Sequence, residues 1–135
     1  KAQPQSWMNY PIGRSGFRLG AVMLRPRRQV RAELYISNAD AKAYFAELHA
    51  QKDAIEGELG YALTWEELPN RRDCRISAYL DDVDPEDDND WRRQHEWLAA
   101  RLNDFHRAFA ARVSALTGAA MTAAVGDEAD AQDTG

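Results

Sequence analysis

The sequence predicts an α+β domain in which an antiparallel sheet of four or five strands carries two helices on one face, in the order (β)ββαββα. Two segments with alternating apolar residues flank a short turn, two later segments carry apolar residues at helical spacing, and a second pair of strand-like segments lies between these helices. Hairpins followed by helices typically form a sheet with its helices on one side. The chain has 135 residues, 44% of them hydrophobic, which is enough to bury one core.

The first hairpin is predicted from residues 17–24 and 30–36. In each segment every second residue is apolar, which indicates one face against the core and one face in water. Residues 25–28 (RPRR) are predicted to turn, because Pro26 already has the backbone angle that the first central position of a turn requires. Residues 6–10 (SWMNY) add either a short first strand or an extended arm.

The next part of the chain is predicted to form one helix and two more strands. Residues 37–40 (SNAD) have the form of a capping box, with Asp40 in the place of the usual Glu or Gln. Apolar residues follow at helical spacing from Ala41 to Leu59, and Gly60 lies where a C-cap glycine is expected. Residues 61–68 and 74–80 are typical of strands, and residues 69–73 are predicted to turn between them.

The last helix is predicted from an apolar stripe that advances in steps of three or four residues: Trp91, His95, Leu98, Leu102, Phe105, Phe109, Val113 and Leu116. Asp84 and Pro85 are expected to supply its N-cap and its first-turn proline. His95 lies on the stripe and is expected to be a hydrogen-bonded core histidine. Residues 1–117 are predicted to form the single domain, and residues 118–135 an acidic, Ala/Gly-rich and poorly packed tail.

Charge is distributed unevenly, although the net charge is −5. Residues 81–90 (DDVDPEDDND) hold seven acids and the tail holds four more, with no base in either segment. The rest of the chain carries a formal charge of +6, and 14 of the 17 bases are arginine, which binds carboxylate and phosphate in a bidentate manner. An anionic partner is therefore compatible with the acidic pI, and it is equally open that the acidic loop neutralises a basic face of the same domain.

Patterns for catalysis or metal binding are weak in this sequence. Cys74 lies in a predicted strand and is expected to be a buried hydrophobe. The acids of residues 81–90 lack the glycine and the glutamate of a calcium loop, and Asp40-Ala-Lys42, which has the spacing of a nuclease's (D/E)xK pair, lies at a helix start. Ser15, between two glycines, is not in a strand–turn–helix elbow. We therefore expect no metal site, no cofactor and no self-sufficient active site.

The compartment is predicted from two further observations. No apolar run approaches the length of a transmembrane helix, so no membrane partner is expected. The single cysteine cannot form an intrachain disulfide, which favours a reducing compartment and a cytoplasmic location.

Arginine and aromatic residues remain as the candidates for function. If the strand alternation holds, several of them share the sheet face opposite the helices, and Trp65 could join them. The loop of residues 13–16 could present Arg14 and backbone N–H groups to an anion, and a second turn adds further charge. The candidate partner- or anion-binding residues are Arg14, Arg18, Arg31, Tyr35, Trp65, Arg71, Arg72, Arg75 and Tyr79.

Two hypotheses use this face. The favoured one is a protein interface, either with a neighbouring region or with a second copy, because Arg and Tyr are enriched in interfaces while lysine is nearly absent here. The alternative is nucleic-acid binding, since an open sheet with arginines and aromatic rings combines phosphate contact with base stacking.

Five stretches carry a resemblance to a known family: residues 10–17 (YPIGRSGF), 33–36 (ELYI), 40–45 (DAKAYF), 65–76 (WEELPNRRDCRI) and 91–98 (WRRQHEWL). They resemble a bacterial family, domain of unknown function 4268, over nearly the whole chain up to about Leu116. Members of this family resemble the C-terminal halves of proteins whose N-terminal part looks like a restriction-endonuclease-type (PD-(D/E)xK) nuclease.

The resemblance implies an accessory domain beside a nuclease-like region, and the hypothesis that follows is a role in genome defence. It implies no catalytic residue. Four arginines within the matching stretches are the first ones to test: Arg14, Arg71, Arg72 and Arg75.

Overall fold

The computed structural model of the protein describes residues 7–118, so the predicted tail lies outside the described residues apart from Gly118. Within the described part, the chain forms five strands and three helices. The strands are β1 (Trp7–Pro11), β2 (Phe17–Leu24), β3 (Gln29–Ile36), β4 (Thr64–Glu66) and β5 (Cys74–Asp81). The helices are α1 (Ala41–His49), α2 (Lys52–Leu59) and α3 (Trp91–Ser114). The α+β class and the five-stranded antiparallel sheet are confirmed.

The strands pair in the order β1-β2-β3-β5-β4, and all neighbours are antiparallel. The predicted hairpin of β2 and β3 is confirmed, with Phe17 opposite Ile36 and Leu24 opposite Gln29. Its turn is a short 3-10 helix, Arg25–Arg27, and the N–H of Arg28 closes it with a hydrogen bond to the Arg25 carbonyl. Because α1 and α2 carry the chain from β3 to the edge strand β4, β5 returns between β4 and β3, and β3 becomes the central strand.

The core lies between one face of the sheet and all three helices. Leu34 and Ile76 contribute from the sheet and are fully buried. Phe105 and Phe109 of α3 pack against each other edge to face, with ring centroids 5.6 Å apart. Fully burying such side chains stabilises the fold by roughly 1.5–3 kcal/mol each. Cys74 is buried here as expected, and burial raises the pKa of its thiol.

The apolar stripe of α3 is confirmed except at His95, which is exposed. The loop before the helix folds over the neighbouring side of α3 instead. There the buried Gln94 donates through Nε2 to the backbone oxygen of Asp84 and to a carboxylate oxygen of Asp90. The prediction of a core histidine was therefore wrong, because the buried surface of the helix is rotated toward Gln94.

Both predicted helix starts need correction. α1 begins at Ala41 without a side-chain cap, and Asn38 Oδ1 accepts the Asp40 N–H in place of the expected capping box. α3 begins at Trp91 rather than after Asp84, because Asp84 and Pro85 lead into a turn and a separate 3-10 helix, Asp88–Asp90, whose N-cap is Asp87.

The first predicted helix is broken in two. The N–H of Gln51 bonds to the carbonyl of Leu48, three residues earlier, so the helical turn tightens and α2 starts in a new direction. The expected C-cap glycine is confirmed, because Gly60 has a φ of 87° and its N–H bonds to the Glu56 carbonyl.

β4 is shorter than predicted. Of residues 61–68, only Thr64–Glu66 form a strand. The preceding residues are held by helices instead: the Leu63 N–H donates to Glu56 Oε2, and the Tyr61 hydroxyl donates to Asp104 of α3. Tertiary hydrogen bonds therefore override the strand propensity of this segment.

The helices leave one sheet face without cover from the described residues. This face, called the open face below, presents alternate residues of all five strands. No helix of the described part is long and apolar enough to cross a membrane.

Candidate functional site

The strand register confirms that Arg18, Arg31, Tyr35, Arg75 and Tyr79 lie on the open face. Arg18, Tyr35 and Arg75 are direct neighbours on β2, β3 and β5, and Arg31 is opposite Tyr79. Arginine and tyrosine therefore alternate across the three central strands. This arrangement follows from the register, which depends on the hydrophobic alternation of the same strands.

The first row is built around Tyr35. The guanidinium carbon of Arg18 lies 4.2 Å from the centroid of the Tyr35 ring, and Arg18 Nε donates to Asn9 Oδ1 at 2.9 Å. The Tyr35 hydroxyl donates to Asp73 Oδ2 at 2.7 Å. Burial, followed by this carboxylate, raises the pKa of Tyr35, and the same hydrogen bond lowers the pKa of Asp73. Ring, cation and carboxylate therefore hold one another in fixed positions.

The second row contains a buried ion pair on β3. Arg31 Nε donates to Glu33 Oε1 at 2.8 Å, and the two side chains are only 9% and 4% exposed. The alternation of residues 30–36 predicted that this side of β3 faces water, and for Arg31 and Glu33 the prediction was wrong. β3 is the central strand, so the side chains of its neighbours shield both residues, and the Arg31 guanidinium lies 5.9 Å from the centroid of Tyr79. Removing two charges from water costs free energy, and the attraction between Arg31 and Glu33 has to offset that cost.

Glu66 of the short strand β4 links the first row, which contains Arg75, to the second row, which contains Tyr79. Arg75 Nη2 donates to Glu66 Oε1 at 2.9 Å, and the Tyr79 hydroxyl donates to Glu66 Oε2 at 2.7 Å. Burial alone would raise the pKa of the Glu66 carboxyl, but these two hydrogen bonds outweigh it and hold the pKa below its ordinary value. Burial and Glu66 together raise the pKa of Tyr79.

Four arginines converge on a hollow of about 400 Å³ in the open face. This surface, called the arginine hollow below, is lined by Asn9, Arg18, Val22, Arg31, Glu33, Tyr35, Arg71 and Arg75. Arg31 and Arg75 have carboxylate partners, whereas Arg18 and Arg71 form no ion pair within residues 7–118. Arg75 Nε is buried without a hydrogen-bond partner among the same residues. The hollow therefore offers one unused donor, on Arg75, and two arginines without a close ion pair, although the Arg71 charge helps to lower the pKa of Asp73.

Arg14 does not lie on the open face. Its Nη1 donates to the carbonyls of Val113 and Leu116 at 2.9 and 2.8 Å, and its Nη2 contacts the Tyr44 hydroxyl. Arg14 therefore binds two carbonyls at and just beyond the C-terminus of α3, where a cation also complements the helix dipole. The loop presents this arginine to the helix and not to an external anion.

Trp65 and Arg72 also lie elsewhere. Trp65 is opposite Ile76 and therefore on the helix side, where it packs against His49 and donates through Nε1 to Glu56. Arg72 is exposed and donates to the Ser37 carbonyl and to Asp73 at the margin of the sheet. Of the predicted residues, six converge on the open face and three do not.

The carboxylates of the site were missed by sequence reasoning. Glu33 could have been found, because it lies two residues from Arg31 and two from Tyr35 and must share their face. Glu66 and Asp73 could not, because their position depends on β4 pairing at the far edge of β5 and on the turn that precedes β5.

The structure shows no arrangement typical of catalysis in its described part. No three side chains of the His, Cys, Asp and Glu type come together as metal ligands within residues 7–118. The Cys74 thiol is buried with a raised pKa, which opposes the thiolate that a nucleophile requires. The open face holds oriented donors, aromatic rings and carboxylates, which are groups suited to binding.

Comparison with known families agrees with the stretches noted in the sequence. A family model described as "Domain of unknown function (DUF4268)" matches residues 1–113. The chain belongs to this family. Searches of curated proteins and of solved structures gave no match. The match to DUF4268 covers all five strands and nearly all of α3, so the open face lies within the matched residues.

Proposed function

We propose that this DUF4268 domain is a non-catalytic docking module that binds an acidic protein surface with the open face of its sheet. The observation that carries the proposal is the arginine hollow, where, within residues 7–118, Arg18 and Arg71 form no ion pair and Arg75 keeps a buried N–H without a hydrogen-bond partner. A carboxylate from a partner would supply the missing acceptor, and charge-assisted bonds of this kind are among the strongest in proteins.

The open face is also organised as protein interfaces are. Its aromatic and arginine side chains are held in place by hydrogen bonds and ring contacts before any partner arrives, so little side-chain freedom is lost on binding. Tyr and Arg are the residue types that most often contribute strongly to interface energy. The partner that we propose is a nuclease-like region of the same bacterial protein, or a second copy, in a system of genome defence.

Nucleic-acid binding is the second candidate, and the stacked pair of Arg18 and Tyr35 beside the hollow favours it. Carboxylates argue against it. Glu33, Glu66 and Asp73 all lie on or beside the same face and would repel phosphates. A protein surface can place donors opposite these carboxylates, which a phosphate backbone cannot.

The test compares two charge-reversal variants in the full chain. Arg18→Glu/Arg71→Glu alters the hollow, and Arg27→Glu/Arg92→Glu makes the same change in net charge at two exposed arginines outside it. Sedimentation measures self-association and association with the separately produced region that adjoins this domain in its gene. A gel shift with a 20-base-pair duplex at two salt concentrations measures nucleic-acid binding.

We expect protein association that the hollow variant weakens about 30-fold or more, which corresponds to about 2 kcal/mol for a strong interface residue, and that the control variant leaves unchanged. A duplex complex that is lost at higher salt and in the hollow variant, without protein association, would establish the second candidate. No association of either kind at high micromolar concentration would refute both.

A further inference from the structure

One edge of β5 is only partly paired. β5 has eight residues, but β4 pairs with only three of them, Arg75, Ile76 and Ser77. Residues 78–81 pair with β3 on one side, and no described strand lies on their other side. Alternate backbone N–H and C=O groups of this segment therefore point outward from the sheet, as they do at any sheet edge.

The chain diverges from β5 at this point for a reason that the structure shows. Continued pairing would place Leu63 opposite Ala78, but the Leu63 N–H donates to Glu56 Oε2 at 2.9 Å instead. The Tyr61 hydroxyl, bonded to Asp104 at 2.9 Å, holds the preceding residues against α3. These two hydrogen bonds therefore hold the residues before β4 away from β5.

The divergence opens a cavity of about 460 Å³, called the edge slot below. Residues 61–64 form one wall, the free edge of β5 forms the other, and Trp97 and Arg101 of α3 line the helix side. The Arg101 guanidinium lies 4.8 Å from the Tyr61 ring and 5.6 Å from the Trp97 ring, so the rings and the cation form one continuous surface.

Two buried polar atoms line the slot without a hydrogen-bond partner in the described chain: Ser77 Oγ and Gln29 Oε1. Ser77 lies near enough to influence the Glu66 carboxyl, although its Oγ makes no bond of ordinary geometry. Gln29 is opposite Asp81, four residues along β5 from Ser77, which is about 13 Å in a strand. Buried polar atoms are almost always paired, so an orphan near each end indicates that something binds along this length.

We propose that the edge slot binds an extended peptide segment of a partner protein, which adds as a strand to residues 78–81 of β5. The free backbone groups supply the main-chain hydrogen bonds, and the length of about 13 Å matches a segment of about four residues. Alternate side chains of the segment face opposite sides of the sheet. One set contacts Trp97, Tyr61 and Arg101 and is apolar or acidic, and the other set is polar and bonds Ser77 Oγ and Gln29 Oε1.

A second copy of the chain fits the slot less well than a peptide. The free edge of β5 lies behind the wall of residues 61–64, so two copies cannot bring their own β5 edges together at the spacing of about 4.8 Å that strand pairing requires. A single extended segment can enter between the walls.

The probe is a random heptapeptide library displayed on phage and selected on the full chain, followed by fluorescence anisotropy with the enriched peptides. Ala62→Phe fills the slot from an exposed position of its wall. Ala50→Phe makes the same substitution in the separate hollow beside Trp65 and is the matched control. Each peptide is also made with alternate amides N-methylated in the two possible phases, which removes main-chain donors without changing the protein.

We expect enriched peptides whose affinity falls at least tenfold with Ala62→Phe and with one phase of N-methylation, and is unchanged with Ala50→Phe. The hollow variant Arg18→Glu/Arg71→Glu should bind them normally, so this result is independent of the proposed docking function. A urea unfolding curve that Ala62→Phe leaves unchanged excludes misfolding of this variant. If the variant does not fold, the N-methylated peptides still test whether binding uses main-chain hydrogen bonds.

Three results would overturn the proposal. They are the absence of any enriched peptide, equal binding in both methylation phases, and a concentration-dependent dimer that Ala62→Phe abolishes. The last result would make a second copy the occupant of the slot.

Discussion

Glu66 connects one cation and one hydroxyl of the open face through a single carboxylate. It is the acceptor for both Arg75 and Tyr79, and it belongs to a strand of only three residues. The carboxylate is about five-sixths shielded from solvent, so Arg75 would lose its main acceptor in a partly desolvated site if Glu66 were neutral. Hydrogen bonds to charged groups contribute roughly 1.5–3 kcal/mol each, and removing one partner leaves the other unsatisfied.

Replacing Glu66 by Gln is expected to lower the free energy of unfolding by about 1–3 kcal/mol at pH 7. The folded-state pKa of Glu66 lies below the ordinary 4.5, so its contribution is complete above pH 4.5 and is lost as the pH falls through the folded-state value. The stability difference between wild type and Glu66→Gln should therefore shrink on acidification. Urea unfolding between pH 7 and pH 3 measures it.

Glu67→Gln is the control, because the neighbouring Glu67 side chain is exposed. Glu56 and Asp73 also have lowered pKa values and lose their contributions in acid in both proteins, so only the difference between the two curves tests Glu66. A difference that stays constant down to pH 3 would show that the Glu66 charge is not what stabilises the network.

At the scale of elements, the loop between β1 and β2 depends on Gly16. Its φ is 84°, and a Cβ at this position would lie 2.6 Å from the Asn38 Cβ. The same glycine offers its carbonyl to the Ser37 N–H, so the loop joins the start of β2 to the end of β3. A side chain here would meet both backbone strain and a collision.

Gly16→Ala is therefore expected to destabilise the fold by about 1–3 kcal/mol. Gly57→Ala in α2 is the matched control, since a Cβ there has no heavy atom within 4 Å and alanine favours a helix by about 1 kcal/mol over glycine. The two substitutions should move the thermal midpoint in opposite directions in calorimetry. Equal shifts of the same sign would contradict the conformational argument.

Elements defined by their own periodicity could be predicted from the sequence. The alternation of β2 and β3 and the stripe of α3 each repeat over several turns or pleats, and the structure has them at nearly the predicted bounds. The predictions failed where one particular hydrogen bond, and not a repeating pattern, decides where an element ends. Glu56 draws Leu63 away from β5 and shortens β4, and a bond between Gln51 and Leu48 divides the first helix.

The site was predictable to the same degree. Alternation along each strand assigns Arg18, Arg31 and Tyr35 to one face, because the side-chain period of a strand is two. Alternation could not assign Trp65 to a face, because its strand β4 is too short to show an alternating pattern. It could not assign Arg14 either, because the carbonyls that it binds come from a helix that ends 99 residues later in the chain.

At the scale of the whole molecule, charges of opposite sign are placed on different parts of the surface. The acidic residues 81–90 lie beside the turn between β2 and β3, where Glu86 pairs with Arg25 and the Val83 N–H bonds to the Arg28 carbonyl. Residues 81–90 do not line the arginine hollow. Arg71, which does, lies near the opposite end of β3 and β5. The acidic loop therefore adds no carboxylate to the hollow beyond those of Glu33, Glu66 and Asp73, which leaves Arg18 and Arg71 without an ion pair in the described chain for an acidic partner to supply.

Substitutions in the ion pair of Arg31 and Glu33 test whether the charges of the open face stabilise the fold or bind the partner. Removing one partner of a buried pair typically costs about 3–5 kcal/mol, whereas replacing both by apolar residues of similar size is often neutral or stabilising. Arg31→Met alone should therefore be strongly destabilising, and Arg31→Met/Glu33→Leu should recover at least wild-type stability in urea unfolding. The double variant should nevertheless associate more weakly with the protein partner, because Arg31 lines the hollow. A double variant that is less stable than Arg31→Met would show that the pair holds the centre of the sheet together, and unchanged association would remove Arg31 from the docking surface.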